Sequence, residues 1–383
     1  MVSKRVTEVP FSGIRRFFEL VAQTEGVVSL GVGEPDFPTP DPIKDEGLRA
    51  IERDYTSYTS NWGLPELRER ISEKLKTENS LSYDSATQVL VTTGTSEALD
   101  LVCRTIISPG DEVLVPEPSY VCYNPCVWFA YGEPVAVPTR EENDFRVSVE
   151  DLERKVTKKT KAVIVASPNN PTGSVLRRRD LKAIADFTID RDLTVISDEL
   201  YEHLIYDGKK HVSIGSLPGM IERTITINGF SKSYAMTGWR VGYAAGPRDI
   251  VEAMMKIHQY GMLCAPAMSQ HAAIEAFDCK RQVKKMLDEY GRRRRLLVSG
   301  LNELTGVSCR MPAGAFYAFP NIKETGMGSE EFAEKLLKEA GVAVVPGNTF
   351  GDSGEGFVRC SYSVSRDIIR EALARMKEFA ETL

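Results

Sequence analysis

Metal-ligand spacing is missing from this 383-residue sequence. Its seven cysteines include no Cys-x-x-Cys pair, and its four histidines (His203, His211, His258 and His271) are too scattered to form a zinc set. Cys122 and Cys126 could share a helix face, but no second pair completes a site. Free thiols in a reducing cytoplasm are the expectation. Long hydrophobic runs are also absent: none approaches the ~20 residues of a membrane-spanning helix. Met1 to Pro10 alternates charge and polarity without the apolar core of a signal peptide. Nor is there a basic excess, since 48 Lys and Arg face 54 Asp and Glu for a net charge of -6. The densest basic runs, Arg177 to Arg179 and Arg292 to Arg295, are short and read as solvated faces, which argues against a nucleic-acid partner. No repeat and no low-complexity linker interrupts the chain.

What is present is an ordinary globular balance, 42% hydrophobic and 27% charged, long enough for two to three intimately joined units. Short β-branched runs recur at Gln88–Thr92, Glu112–Pro116, Glu133–Val137, Lys161–Ala166, Leu193–Ser197, Arg223–Ile227 and Val241–Ala245. Amphipathic stretches such as Ser96–Ile107 and Arg179–Arg191 lie between them. This alternation predicts an α/β fold whose large domain is a mostly parallel seven-stranded sheet sandwiched by helices. Beyond Ile250 the pattern turns helical, at Ile250–Gln259, Ala267–Phe277 and the run through Arg292 to Leu304. Strands are expected again at Ser308–Met311, Ala315–Phe319, Val342–Val345 and Phe357–Ser361, with helices at Ser329–Ala340 and Arg366–Thr382. Phe17, Phe18 and Leu20 at helical spacing are expected to pack on this tail. The predicted organisation is an N-terminal arm with part of a small domain (1–44), a large domain (45–285) and a small, discontinuous α+β domain (286–383).

Ligands of open α/β sheets sit at the carboxyl ends of strands, so the residues that follow each strand carry the chemistry. Thr93-Gly94-Thr95-Ser96-Glu97 is a small-residue turn entering a helix, suited to an anion, although such turns also simply cap helices. Ser167-Pro168-Asn169-Asn170-Pro171-Thr172-Gly173 is dense turn chemistry. Asp198-Glu199-Leu200-Tyr201 places two acids and a phenol at a strand end. Gly229-Phe230-Ser231-Lys232 precedes Arg240, with Phe230, Tyr234 and Met236 to desolvate the lysine. Singly, each has a structural reading: Asp198 as a cap, Tyr201 as a core phenol, Arg359 as a surface strand residue, Lys232 in solvent. Together, a nucleophilic lysine, a buried acid, an amide, a phenol, an arginine fork and a phosphate cup meet the demands of pyridoxal 5′-phosphate.

At these residues the chain resembles the class I/II aminotransferases, the aspartate-aminotransferase-like family of fold type I pyridoxal-phosphate enzymes. The likeness runs from Gly33-Glu34-Pro35-Asp36-Phe37 to Arg359 and takes in Tyr58, Gly63-Leu64-Pro65-Glu66-Leu67-Arg68, Asn169-Asn170-Pro171-Thr172-Gly173, Ser197 to Tyr201, Phe230-Ser231-Lys232 and Pro346-Gly347-Asn348-Thr349-Phe350-Gly351. The resemblance implies Lys232 as Schiff-base lysine and proton shuttle, Asp198 as partner of the pyridinium nitrogen, and Asn170 with Tyr201 on the ring oxygen. Tyr120 would stack on the ring. Gly94, Thr95, Ser96, Ser231 and Arg240 would cup the phosphate, with Tyr58 reaching the neighbouring subunit's phosphate in a homodimer with shared sites. Arg359 would grip the substrate carboxylate, with Gly33 on the arm above it and Asn170 beside it.

The implied activity is ping-pong transfer of an α-amino group to a 2-oxo acid, with aspartate and 2-oxoglutarate as the leading pair. An aromatic or broad preference is the rival. A carbon–sulfur β-lyase on the same scaffold and a non-enzymatic cofactor-binding regulator stay open. Three departures bear on specificity. Gly229 stands where many relatives carry a phosphate-binding serine. Ser96 falls where some aspartate-preferring relatives carry an acid-reading lysine; Arg15 or Arg16 could supply that charge, or be a plain surface pair. Trp62 and Tyr260 could line an apolar side-chain pocket.

Overall fold

The computed structural model describes residues 2–11, 13–14, 21 and 24–382. In chain order its strands are β1 (Val28–Ser29), β2 (Val89–Thr92), β3 (Glu112–Glu117), β4 (Glu133–Pro138), β5 (Thr160–Ala166), β6 (Thr194–Asp198), β7 (Thr224–Gly229), β8 (Gly242–Ala245), β9 (Tyr317–Ala318), β10 (Val342–Ala343), β11 (Val345–Pro346) and β12 (Val358–Ser361). The seven expected strands of the large sheet all form, in the order β2-β8-β7-β6-β5-β3-β4. Strand β8 runs antiparallel to both neighbours and every other pairing is parallel.

A parallel sheet covered on both faces needs apolar residues at successive positions. In β5, Ala162 and Ile164 pack with Leu99, Val102 and Met254 from helices Thr95–Ile106 and Arg248–Gly261. The intervening Val163 and Val165 pack with Leu181 and Ile184 of helix Arg178–Asp190. Helices Asp41–Glu52 and Pro65–Asn79, which the sequence pattern did not single out, both start on proline-bearing first turns. Among the described residues no helix is long and apolar enough to cross a membrane.

The C-terminal part builds a second core around Phe316, Phe332, Leu336, Val342 and Ile369. Strand β1 joins it by pairing in parallel with β10, which ties residues just after the N-terminal arm to the tail. The expected single strand Val342–Val345 divides at Val344, because β10 pairs with β1 while β11 pairs with β12. No strand forms at Ser308–Met311; only the bridge Ser308 to Asn321 is made. There the side chain of Asn302 takes both backbone groups of Cys309, accepting from its N–H at 2.8 Å and donating to its carbonyl at 3.0 Å, so no ladder can continue. The expected division at 285/286 falls inside the unbroken helix Lys280–Leu301, whose Val283 packs against both cores. Phe17, Phe18 and Leu20 lie outside the described residues.

The strand ends that carry the site are held by backbone contact. A Cβ on Gly242 would stand 2.8 Å from the carbonyl carbon of Gly94 and from the amide nitrogen of Thr95. Backbone atoms cannot swing aside, so Gly242→Ala must separate β8 from the Gly94 turn. Overpacking of this kind costs about 1–3 kcal/mol. A guanidinium unfolding series should show a lower midpoint with an unchanged slope.

Candidate active site

The carboxyl ends of β2, β6 and β7 open into a cavity of about 300 Å³ lined by Thr95, Ser96, Tyr120, Asn170, Asp198, Tyr201, Ser231, Lys232, Arg240, Tyr317 and Arg359, among others. Every expected site residue except Gly94 and Tyr58 lines it. Gly94, with φ +80°, lies under Arg240; a Cβ there would stand 2.5 Å from the guanidinium. Glycine at 94 therefore lets the arginine lie flat on the turn, while its Nη1 donates to the Thr237 carbonyl at 3.0 Å. Gly229 is also a packing residue: a Cβ there would meet Gly242 Cα at 3.0 Å and Thr95 Cγ2 at 3.2 Å. A serine hydroxyl at this position would need the turn to move.

Lys232 reaches deep among protein atoms, and its Nζ donates to the Gly33 carbonyl at 2.7 Å. Burial is the main force on its pKa, pulling it from 10.5 down to about 8. Glu34 opposes that shift, and Arg359 and Arg240 add to it. Asp198 accepts from the Tyr123 hydroxyl at 2.7 Å and from the Leu200 amide at 3.1 Å. Both bonds favour the carboxylate, yet burial outweighs them and raises its pKa. A buried acid in this state lacks a cationic partner to offset its burial. Tyr201 shares a 3.0 Å hydrogen bond with Tyr317, and burial followed by the proximity of Tyr317 lifts its pKa well above 10.

Arg359 is 2% exposed. It donates through Nη1 to Asn170 Oδ1 at 3.0 Å and through Nη2 to the Gly31 carbonyl at 2.7 Å. The Tyr317 and Phe350 rings flank it at 4.4 and 5.0 Å. Its Nε is buried with no partner, and it makes no ion pair among the described residues. A buried guanidinium without a carboxylate is costly unless an anion arrives to pair with it. The lining therefore offers Lys232, Arg240 and Arg359 against the single carboxylate of Asp198, a balance suited to a ligand bearing a phosphate and a carboxylate.

These features match a known family. The model for "Aminotransferase class I and II" fits residues 25–376. The chain belongs to that family, and it is an aminotransferase. The aspartate aminotransferase of Pyrococcus abyssi is 50% identical over 98% of this chain and 97% of its own length. Aromatic-amino-acid aminotransferase 2 of Thermococcus litoralis is 48% identical over 98% and 97%. The crystal structure of the aromatic aminotransferase of Pyrococcus horikoshii superposes with a TM-score of 0.92 at 48% identity, covering 96% of this chain and 99% of that one. The mostly parallel seven-stranded sheet is the fold type I architecture of these aminotransferases.

The structure adds residues that the sequence reading missed. Tyr123 and Tyr317 line the cavity and hold Asp198 and Tyr201 respectively. Tyr123 opens helix Tyr123–Phe129, and its ring meets that of Tyr120 edge-on at 5.7 Å. Ile14 lines the cavity, but Arg15 and Arg16 lie outside the described residues. Trp62 and Tyr260 do not line the cavity of their own chain, and Tyr260 is 88% exposed.

The aminotransferase's lysine titration has a definite sign. In cofactor-free protein, the rate of Lys232 acetylation by acetic anhydride should rise through a pKa of about 8. Arg240→Gln removes a repelling charge and should raise that value; Glu34→Gln removes an attracting one and should lower it. Because the unfolded chain keeps this proton to about 10.5, Lys232's contribution to stability should increase as pH climbs between the two values.

Proposed function

We propose that this chain transfers α-amino groups from an amino acid to a 2-oxo acid with bound pyridoxal 5′-phosphate, aspartate and 2-oxoglutarate being the leading pair. The observation that carries this reading is the cavity's set of charged groups without ion-pair partners among the described residues: a buried lysine of lowered pKa, a buried carboxylate and two arginines. When bound, the cofactor supplies an aldehyde for an amine and an electron-accepting ring for charge developing at the substrate Cα. Gly94, Thr95, Ser96, Ser231 and Arg240 would hold its phosphate, and Tyr120 would lie along the ring. Asp198, held by Tyr123, would bond the ring N–H and keep it protonated. Tyr201 and the Nδ2 group of Asn170, whose Oδ1 is already taken by Arg359, would donate to the ring oxygen.

Lys232 then acts as the base at Cα. Its lowered pKa puts the neutral amine within reach at physiological pH. Arg359 grips the α-carboxylate with both terminal nitrogens and fixes which Cα bond faces Lys232. The relatives' names support aspartate on one side and aromatic substrates on the other. A specific observation favours the aromatic reading as the alternative. With Arg240 on phosphate and Arg359 on the α-carboxylate, the described lining leaves Leu99, Leu200, Ile14 and Thr237 for the side chain and no further arginine. The proposal that Arg15 or Arg16 reads an acidic side chain would restore aspartate.

Amino acids offered singly to the cofactor-loaded enzyme, with absorbance following conversion of the aldehyde form to the amine form, decide between the two. Aspartate should convert it faster than phenylalanine or tyrosine; the reverse order would replace the leading pair. Arg359→Ala should lower kcat/KM for amino acids by roughly two to three orders of magnitude, with a much smaller change for amines lacking a carboxylate.

We also propose a homodimer with shared sites. Tyr58 is 83% exposed, and its segment is tied by the Asn61 Nδ2 to Leu263 carbonyl bond of 2.7 Å to one that carries the exposed Tyr260 and Met262. A patch of this kind marks an interaction surface. Sedimentation should give a dimer, and Tyr58→Phe should retain the dimer but release cofactor several-fold faster on dialysis. Unchanged retention would remove Tyr58 from the neighbouring site.

A further inference from the structure

A second concavity, of about 640 Å³, lies on the other side of the Asn170 turn and shares no lining residue with the active-site cavity. Its walls come from both parts of the chain: residues 144–146, 172–178, Lys209, Lys210 and Val212 from the large-sheet region, 310–313 and Phe319 from the tail. Six basic residues line it, Arg146, Arg177, Arg178, Lys209, Lys210 and Arg310, against the single acid Asp144. This surplus stands out in a chain whose net charge is -6. Arg177 and Arg178 of the short Arg177 to Arg179 run, unremarkable in the sequence, are part of it.

The basic groups fall into two sets. Three are held in place by acids: Arg310 donates to Asp144 Oδ1 at 2.8 Å, Arg146 pairs with the same carboxylate, and Arg177 forks onto Asp180 at 2.9 and 3.1 Å. The other three, Arg178, Lys209 and Lys210, make no ion pair among the described residues. Arg146 also faces a second acid, its Nε lying 3.4 Å from Asp180 Oδ2. Oγ of Ser174, a residue 8% exposed on the groove wall, is buried without a hydrogen-bond partner. Helix Arg178–Asp190 begins here, so the positive end of its dipole adds to the field.

We infer that this groove binds a small phosphate compound carrying at least two negative charges. Guanidinium groups suit carboxylate and phosphate alike, but the free Arg178, Lys209 and Lys210 and the Ser174 hydroxyl reach the concavity from separate segments, an arrangement that a tetrahedral oxyanion with acceptors on every side can satisfy together. Such a ligand would bridge Arg310 of the tail to the Arg177–Arg178 wall. The Gly173 carbonyl already accepts from the amides of Ala313 at 3.0 Å and Gly314 at 2.9 Å, so the bridge would tighten the turn that carries Asn170.

Calorimetric titration of the full chain, saturated with pyridoxal 5′-phosphate so that its own phosphate cradle is filled, tests this with inorganic pyrophosphate as the probe. One site per chain is expected, with citrate binding more weakly. The exposed pair Lys209→Ala/Lys210→Ala should lower pyrophosphate affinity at least tenfold while leaving basal transamination unchanged; Lys209→Arg/Lys210→Arg should restore it. Ser174→Ala should weaken binding several-fold. Absence of binding, an affinity indifferent to the lysine pair, or citrate equal to pyrophosphate would overturn the assignment.

Discussion

A lysine amine withdrawn from water needs a compensating charge to stay protonated, and at Lys232 the hydrogen-bond partner is the neutral carbonyl of Gly33 at 2.7 Å. The nearby arginines push the same way as burial, and only Glu34 resists. The amine is therefore available as a nucleophile and base without any other group taking its proton. Around it, Arg359 and Arg240 have no anionic partner and Asp198 no cationic one among the described residues. The cavity is an unbalanced set of charges that a zwitterionic, phosphate-bearing ligand would balance.

That imbalance persists because the rest of the fold fixes it. Directly behind Asp198, Glu199 accepts from Ser197 at 2.8 Å, Ser213 at 2.6 Å and His211 at 2.8 Å. Glu202 pairs with buried Lys74 and accepts from Asn79 and Asn228, each at 2.7 Å. Asn228 in turn accepts from the Gly229 amide at 2.7 Å. Glu199, Glu202 and His211 lie close enough to resemble a metal set, but their oxygens are engaged by this network, in which the Lys74 ammonium supplies the cation. The network pins the β6 and β7 ends from which Asp198 and Lys232 project, a rigid support that preorganised chemistry requires.

Much of this was legible in the sequence. The seven strands of the large sheet could be read because buried parallel strands are apolar at successive positions, as Ala162 to Val165 are. Lys232, Asp198 and Asn170 could be read because each ends or follows such a strand, whereas Arg359, in the antiparallel strand β12, was read from the family resemblance. Tyr123 and Tyr317 could not. Their work is to hold Asp198 and Tyr201 through contacts 75 and 116 residues apart, and separation of that kind leaves no local pattern. The failed strand at Ser308–Met311 has a similar cause, since its backbone is claimed by one side chain, Asn302. Gly229 read as a lost hydroxyl, whereas a side chain there would press on Gly242 Cα at 3.0 Å and Thr95 Cγ2 at 3.2 Å.

The proposed chemistry requires that one side chain, Lys232, capture the cofactor aldehyde. Borohydride reduction of the loaded protein, followed by peptide mass mapping, measures this directly. One pyridoxyl group per chain on the peptide containing Lys232, with the other lysines unmodified, is the predicted result. No stable adduct, or an adduct spread over exposed lysines with Lys232 bare, would contradict it.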